Sequence, residues 1–481
     1  MRMLRFFVAV CLLTGASVAP ATVRAQETAP APVALRGMYQ GVLKPTPAIS
    51  LTLTFTVTGT PDKPGATLDV VEQGVKGFPV TTTTFSGNTV TFALDKIGAT
   101  FVGKRTPDGK TIAGTFTQGG NPFPLTLTQT DKPLVLDRPQ TPKPPFPYRT
   151  VEVLYPNPEA PGVILAGTLT LPPGEKPFAV ALFITGSGAQ DRDETVFAHK
   201  PFAVMADDLA RRGIASLRVD DRGVGGSKGD FAGATTTDFA GDVRAGIAFL
   251  KTRREIDGKR IGLIGHSEGG VIAPMVAASD AGVAFIVLLA GTGVPGDQVM
   301  LAQQKAIVAA MGDGADTLAQ NQKYSKGAIT AIKSAKDAAD AREKVKVFLA
   351  GEVQAFPKAR RPAALRQLEA SFLPWCTPWF LQFVSLDPQT ALASVQCPVL
   401  AINGSLDLQV LPKQNLPAIA AALKKAGNTD VAVRELPGLN HLLQTATAGS
   451  PAEYSVITQT VAPEALALIG DWIAAHTAAR P

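Results

Sequence analysis

The chain is poor in the residues that hold metals and redox centres. Its 481 residues include four histidines and three cysteines, with no Cys-x-x-Cys and no His-Glu-x-x-His, so neither a metal nor a cofactor site of ordinary ligand spacing is expected. Charged residues make up only 18%, and no run of Lys or Arg forms a stripe able to track phosphates, which excludes nucleic acid as a partner. Of the formal net charge of +6, three positive charges are Arg2, Arg5 and Arg24, close to the amino terminus, so the remainder is only mildly basic. The longest N-terminal apolar run is well short of the ~20 residues needed to cross a bilayer, and no integral membrane segment is expected in the mature chain. What is abundant is apolar residues (45%), 45 Gly and 38 Pro, enough for a large core and many turns; disorder throughout is excluded, and the length allows two or three domains.

Residues 1–25 read as a signal peptide: Arg2 and Arg5, the apolar Phe6 to Leu13, then small residues to Val23-Arg24-Ala25, with cleavage after Ala25. Export, to the periplasm or beyond, is therefore expected. Cys11 lies inside the apolar run behind Val10, not behind the small residue of a lipoprotein signal. That leaves Cys376 and Cys397, an even pair compatible with one disulfide or with two buried thiols.

Between about 35 and 130 the pattern alternates with period two, as in Leu51-Thr52-Leu53-Thr54-Phe55 and Thr89-Val90-Thr91-Phe92-Ala93-Leu94. Such alternation, rich in Thr and Val, predicts half-buried antiparallel strands and hence a small β-barrel or β-sandwich over 26–131. Six prolines between Pro133 and Pro147 predict a semi-rigid linker over 132–147. From 148 to 481 short apolar runs alternate with helical stretches, which predicts an α/β domain with a mostly parallel sheet covered on both faces. The rhythm breaks at about 297–386, where helical periodicity rich in Ala, Lys and Gln predicts a cap inserted into the sheet domain.

Gly265-His266-Ser267-Glu268-Gly269 sits between the strand pattern Arg260 to Ile264 and a helix from Gly270. A Gly-x-Ser-x-Gly in that setting is a nucleophile elbow, with Ser267 on a strained turn that the flanking glycines make room for. Alone it equally describes a serine capping a helix. A serine nucleophile needs a base, and in this order of elements the acid and the histidine follow it. Only His441 and His476 lie beyond Ser267; His476 belongs to the terminal helix, whereas His441 lies in a turn after the last strand pattern. Asp407, a few residues after the strand Val399 to Ile402, is the expected acid; Asp387, Asp430 and Glu435 are placed less favourably. Two N–H donors for an oxyanion are expected from the amides of Glu268 and Ser187, the latter in Thr185-Gly186-Ser187-Gly188; neither side chain is required by that role.

With these residues the stretch 148–481 resembles the α/β-hydrolase superfamily, and within it bacterial exported serine esterases of the dienelactone-hydrolase-like kind. Gly186 to Asp193, Asp220 to Ser227, Gly265 to Gly270 and Asn403 to Val410 carry the likeness, with Ala189 standing where Pro is usual. Residues 36–129 resemble the β domain that precedes the hydrolase in some exported members. The resemblance implies hydrolysis of a small-molecule carboxylic ester through an acyl-enzyme, without a cofactor, under a helical cap. A serine peptidase or amidase would use the same three residues, and a noncatalytic envelope binding protein would need none of them. Asp191, Arg192 and Asp193 are expected to brace the oxyanion loop, and Asp220 and Arg222 the next one. Gly291-Thr292-Gly293-Val294-Pro295-Gly296 matches a dinucleotide fingerprint but is interrupted by Pro295 and expected to be a decoy. From the cap, Trp379 is expected to line an acyl pocket, and the β domain to supply no catalytic group.

Overall fold

A computed structural model describes residues 35–46, 49–60, 62–73, 75–132, 135–175, 177–310 and 314–478. The expected signal peptide, with Cys11, lies outside the described residues. The chain divides into two compact units, one reaching Asp137 together with Val196–Ala198, the other comprising Arg138–Thr195 and His199 onward.

The first unit is a single antiparallel sheet of nine strands: β1 (Gly37–Thr46), β2 (Ile49–Thr60), β3 (Lys63–Val70), β4 (Val75–Pro79), β5 (Thr82–Ser86), β6 (Thr89–Leu94), β7 (Ala99–Arg105), β8 (Thr111–Gln118) and β9 (Asn121–Thr130). Their order is β4-β3-β2-β1-β9-β8-β7-β6-β5, a meander curled on itself as a half-barrel. Alternation sends Val90, Phe92 and Leu94 of β6 inward and leaves Thr89, Thr91 and Ala93 half-buried. Phe55, Phe92 and Phe101 stack in the centre, with Phe55 and Phe92 ring centroids 4.6 Å apart. Thr52, buried on the face of β2 opposite Leu53 and Phe55, donates from Oγ1 and its amide to the carboxylate of Glu72, at 2.7 and 2.9 Å.

The second unit is an eight-stranded sheet: β10 (Arg149–Pro156), β11 (Ile164–Leu171), β12 (Phe178–Ile184), β13 (Ala215–Val219), β14 (Ile256–His266), β15 (Val283–Leu289), β16 (Val399–Gly404) and β17 (Val431–Leu436). The order is β10-β11-β13-β12-β14-β15-β16-β17, with β11 antiparallel to its neighbours and every pair from β13 onward parallel. This is the α/β-hydrolase fold. Helices α1 (Pro201–Arg211), α2 (Thr236–Lys251) and α3 (Gly269–Ser279) follow β12, β13 and β14. Between β15 and β16 come α4 (Gly296–Ala310), α5 (Ala315–Lys333), α6 (Ala338–Glu352), α7 (Arg361–Phe372), α8 (Pro378–Phe383) and α9 (Pro388–Leu392). The chain closes with α10 (Pro412–Lys425) and α11 (Pro463–Thr477). Helices α2, α3 and α10 bury their apolar faces on one side of the sheet, α1 and α11 on the other. A strand covered on both sides must be apolar throughout, which is why β12 reads Phe178-Ala-Val-Ala-Leu-Phe-Ile184 and is buried at every residue. Helix α2 starts at Thr236, three residues before its apolar periodicity, because Thr235 and Asp238 form a capping box.

From Arg138 on, the proline-rich stretch expected to be a linker is fastened to the second unit. Arg138 is buried and donates to the carbonyl of Ile457 at 2.9 Å, and Gln140 donates to that of Val461 at 2.8 Å. Proline cannot join a ladder, but side chains between prolines still anchor the chain. The cap α4–α9 has a core of its own, from Tyr324, Ile332, Val345, Leu349, Phe372 and Phe380 among others. Cys376 and Cys397 are free thiols, and burial pushes each up to about 11.

Phe92 has no exposed surface, so Phe92→Ala should destabilise the β unit by about 3–5 kcal/mol. Denaturant unfolding of the full chain, followed with a probe in that unit, checks this; a loss below about 1 kcal/mol would show that its core repacks freely.

Candidate active site

Ser267 directly follows β14, with φ +53°, in the left-handed region that non-glycine residues avoid. Its amide is held by the carbonyl of Leu289 at 2.9 Å. The turn closes so tightly that a Cβ on Gly265 would lie 2.0 Å from the carbonyl oxygen of Gly269, and one on Gly269 2.3 Å from that of Ile184. Both glycines of the motif are thus steric requirements.

The expected acid and base, Asp407 and His441, sit on the loops after β16 and β17. Asp407, 2% exposed, accepts through Oδ1 from the amides of Gln409 and Val410 at 2.7 and 2.8 Å. Its Oδ2 accepts from His441 Nδ1 at 2.8 Å. Because a carboxylate only accepts, Nδ1 carries the proton and Nε2 is left as the basic nitrogen. The His441 turn is fixed by Asn440, whose Oδ1 accepts from the amides of Leu442 and Gln444 at 3.0 Å each. Leu406 also donates to the carbonyl of Leu439 at 2.9 Å, tying the two loops together. His476 lies elsewhere, near Asp430 at 3.2 Å on the terminal helix.

Of the two expected oxyanion donors, neither the amide of Ser187 nor that of Glu268 meets an acceptor among the described residues. The neighbouring amide of Gly186 is already committed, donating to Glu194 Oε1 at 2.6 Å. The Glu268 side chain, however, is far from idle. Its Oε1 accepts from Thr236 Oγ1 and from the indole Nε1 of Trp379, both at 2.7 Å. Burial pushes this carboxyl upward, its hydrogen bonds oppose that, and the net direction is up. The Glu268 side chain thus links the elbow to α2 and the cap, apart from the backbone role expected of its amide. Trp379 meets the site through its N–H while its ring stacks on Phe383 at 5.1 Å.

The charged loop residues brace each other across loops. Arg192 binds Asp220 through its amide at 2.8 Å, Nε at 3.1 Å and Nη2 at 2.8 Å. Arg222 instead reaches Asp242 on α2, at 2.7 Å from Nε. Asp191 caps the turn that follows it, accepting from the amides of Asp193 and Thr195 at 3.1 and 2.9 Å. His199 is packed and neutral, bound to Thr460 and to the carbonyl of Tyr454, with burial and the charge of Arg138 lowering it to about 4. The glycines of the apparent dinucleotide fingerprint serve packing: Gly293 donates to Asn415 at 2.9 Å, and a Cβ there would lie 2.5 Å from the carbonyl oxygen of Asn415.

Three residues near the site carried no signal in the sequence. Glu194 accepts from His266 Nδ1 at 2.9 Å, and His266, one residue before Ser267, also contacts the carbonyl of His441 at 3.1 Å. Asp221 is buried beneath the oxyanion loop and accepts from Thr185 Oγ1 at 2.7 Å and the amide of Gln190 at 2.9 Å. It lines a cavity of about 50 Å³ with Gly186, Gly188, Phe239 and Glu268.

Sheet order, elbow and the Asp407–His441 pair define an α/β-hydrolase. Residues 161–436 match the X-Pro dipeptidyl-peptidase (S15 family), and the chain belongs to that family. It is also 30% identical over 113 residues to esterase EstD of Thermotoga maritima; the match covers 24% of this chain and 27% of that protein, so the chain spans about a quarter of the length of the curated relative it matches. Among solved structures it is similar to the Pyrococcus furiosus esterase Pf2001, at 14% identity over 72% of this chain and 99% of the other, TM-score 0.42. It is similar as well to a dienelactone hydrolase from Anabaena variabilis, at 15% identity over 69% and 99%, TM-score 0.38.

Burial lifts Asp221 to about 8, against the hydrogen bonds from Thr185 and Gln190. A carboxyl raised by folding holds its proton in the native state, so its contribution to stability is complete below the ordinary carboxylate range and is lost as pH rises toward about 8. Asp221→Asn should therefore lose less Tm than wild type between pH 5 and pH 8. Parallel declines in the two proteins would refute it.

Proposed function

We propose that this chain is a serine hydrolase that cleaves carboxylic esters of small molecules through an acyl-enzyme. The observation that carries the reading is the left-handed Ser267 on its elbow, together with an imidazole, His441, whose tautomer Asp407 fixes. In the proposed mechanism Ser267 Oγ attacks the acyl carbon as His441 Nε2 takes its proton. Asp407 holds the imidazole and stabilises the imidazolium that forms. The oxyanion rests on the amides of Ser187 and Glu268, donors already in place before charge develops. His441 then passes the proton to the leaving alkoxide. A water activated by the same nitrogen releases the acid and frees Ser267. The proposed catalytic groups all lie in the second unit. Export belongs to the same proposal and is supported by residues 1–25 alone.

A peptidase reading has specific support in the family to which residues 161–436 belong. Ester and amide hydrolysis share the acyl-enzyme, so substrate decides. Chromogenic acyl esters and aminoacyl-prolyl anilides should be turned over side by side, with the esters far faster; the reverse ratio would make this chain a peptidase. Ser267→Ala should lower turnover by roughly 10⁴-fold or more and leave the thermal transition in place. A folded Ser267→Ala protein with ordinary activity would end the mechanism.

The cap reaches the elbow through Trp379, so it is proposed to limit the acyl side of the site. Trp379→Ala should change the ratio of kcat/KM between acetate, butyrate and octanoate esters. Equal scaling for all three acyl lengths would count against a cap-lined acyl pocket.

A further inference from the structure

His266 is a buried polar residue of the second unit that the proposed mechanism leaves unused. It ends β14 next to the nucleophile, 7% exposed, and both of its ring nitrogens are occupied. Nδ1 lies 2.9 Å from Glu194 Oε1, and Nε2 lies 3.1 Å from the carbonyl oxygen of His441. A carbonyl oxygen only accepts, so Nε2 must carry a proton. Glu194 Oε1 also accepts from the amide of Gly186 at 2.6 Å, and with Glu194 ionised Nδ1 carries a proton as well. An imidazole with a hydrogen on each nitrogen is an imidazolium.

Glu194 has its own sign of commitment. It is 4% exposed and stands at φ +51°, a strained backbone for a residue with a side chain. The strain turns its carboxylate back beneath the oxyanion loop, where it meets Gly186 and His266 together. A continuous line of hydrogen bonds thus runs from Gly186 through Glu194 and His266 to the backbone of His441, whose ring continues it to Asp407. The His266 and His441 rings face each other with centroids 4.7 Å apart.

We propose that His266 is a standing imidazolium, neutralised by Glu194, that acts as a positioning residue: it fixes the oxyanion loop and the His441 turn at one mutual distance. The inference rests on the ester-hydrolase reading for its kinetic consequences and on geometry alone for its charge state. The charged and titratable groups facing the pair are Asp407 and His441 from the loops after β16 and β17, and Asp221, which faces Glu194 from the loop after β13. Burial works against the charge on His266, but the attraction and hydrogen bond of Glu194 outweigh it, and its pKa is raised. A buried pair of this kind contributes little net stability, which fits a role in geometry more than in holding the fold.

The test uses the full chain with ¹⁵N-labelled histidine, whose four imidazoles give few enough signals to assign. One imidazole should keep both ring protons through pH 8, survive His476→Gln and vanish in His266→Gln. Glu194→Gln should convert that signal to a neutral tautomer and lower kcat by about 10²-fold with KM little changed, while Glu194→Asp restores part of the loss. A His266 already neutral at pH 7 in the folded wild type overturns the proposal, whether or not the variants fold. So does a Glu194→Gln protein that raises KM and leaves kcat intact. If instead Ser267→Ala is fully active, the ester-hydrolase reading falls and the charge state of His266 remains measurable on its own.

Discussion

The second unit is organised around one backbone constraint, the left-handed conformation of Ser267. L-residues pay for that conformation in steric strain, of the order of 1–3 kcal/mol. It persists because β14 leads into it, the carbonyl of Leu289 holds its amide, and α3 begins two residues later. The two glycines follow from the same constraint, since the turn brings backbone within 2.0 to 2.3 Å of where their side chains would start. So does the placement of the partners: the parallel order β14-β15-β16-β17 delivers the loops of Asp407 and His441 to the same end of the sheet as the elbow.

Around that turn lie two buried acid-centred clusters with different work. Glu268 gathers donors from α2 and the cap, so a shift of the cap is felt at the residue next to Ser267. Glu194 gathers the amide of Gly186 and the His266 ring, which in turn meets the carbonyl of His441, so the loop after β12 is tied to the His441 turn. Outside both, Arg192 locks the oxyanion loop onto Asp220. Each cluster joins segments far apart in the chain, and that is the physical reason they matter: local turn preferences alone cannot set distances between loops on separate strands.

The same fact sets what could be read in advance. Ser267, Asp407 and His441 were legible because each stands at a fixed offset from a recognisable strand, and the strands announce themselves as unbroken apolar runs such as Phe178 to Ile184. The half-buried meander was legible from alternation, though a single curled sheet differs from a closed barrel or a two-sheet sandwich only in long-range pairing, which alternation does not encode. Glu194 and His266 were not legible: 72 residues separate them, and nothing local distinguishes a loop glutamate that turns inward from one that faces water. Asp221, beside the expected brace Asp220, holds Thr185 and Gln190 of the loop after β12, and no local signal set it apart from a surface acid. The proline-rich stretch looked like a spacer because its composition forbids secondary structure, but composition says nothing about Arg138 and Gln140 reaching the 457–461 segment.

Among the described residues the half-barrel leaves two borders, β4 and β5, without a strand partner on the outer side, and such a border is an invitation to a neighbouring chain. Both are blunted. Each is only five residues long, and β4 carries Lys76 and ends in Pro79, a charge and a missing donor where a foreign strand would have to register. Only Val80 and Thr81 separate the two strands, and their amides turn inward to the carbonyls of Ala66 and Ala93. The short seam thereby gives the unit protection against fibre-like self-association that closure of the barrel would otherwise have provided.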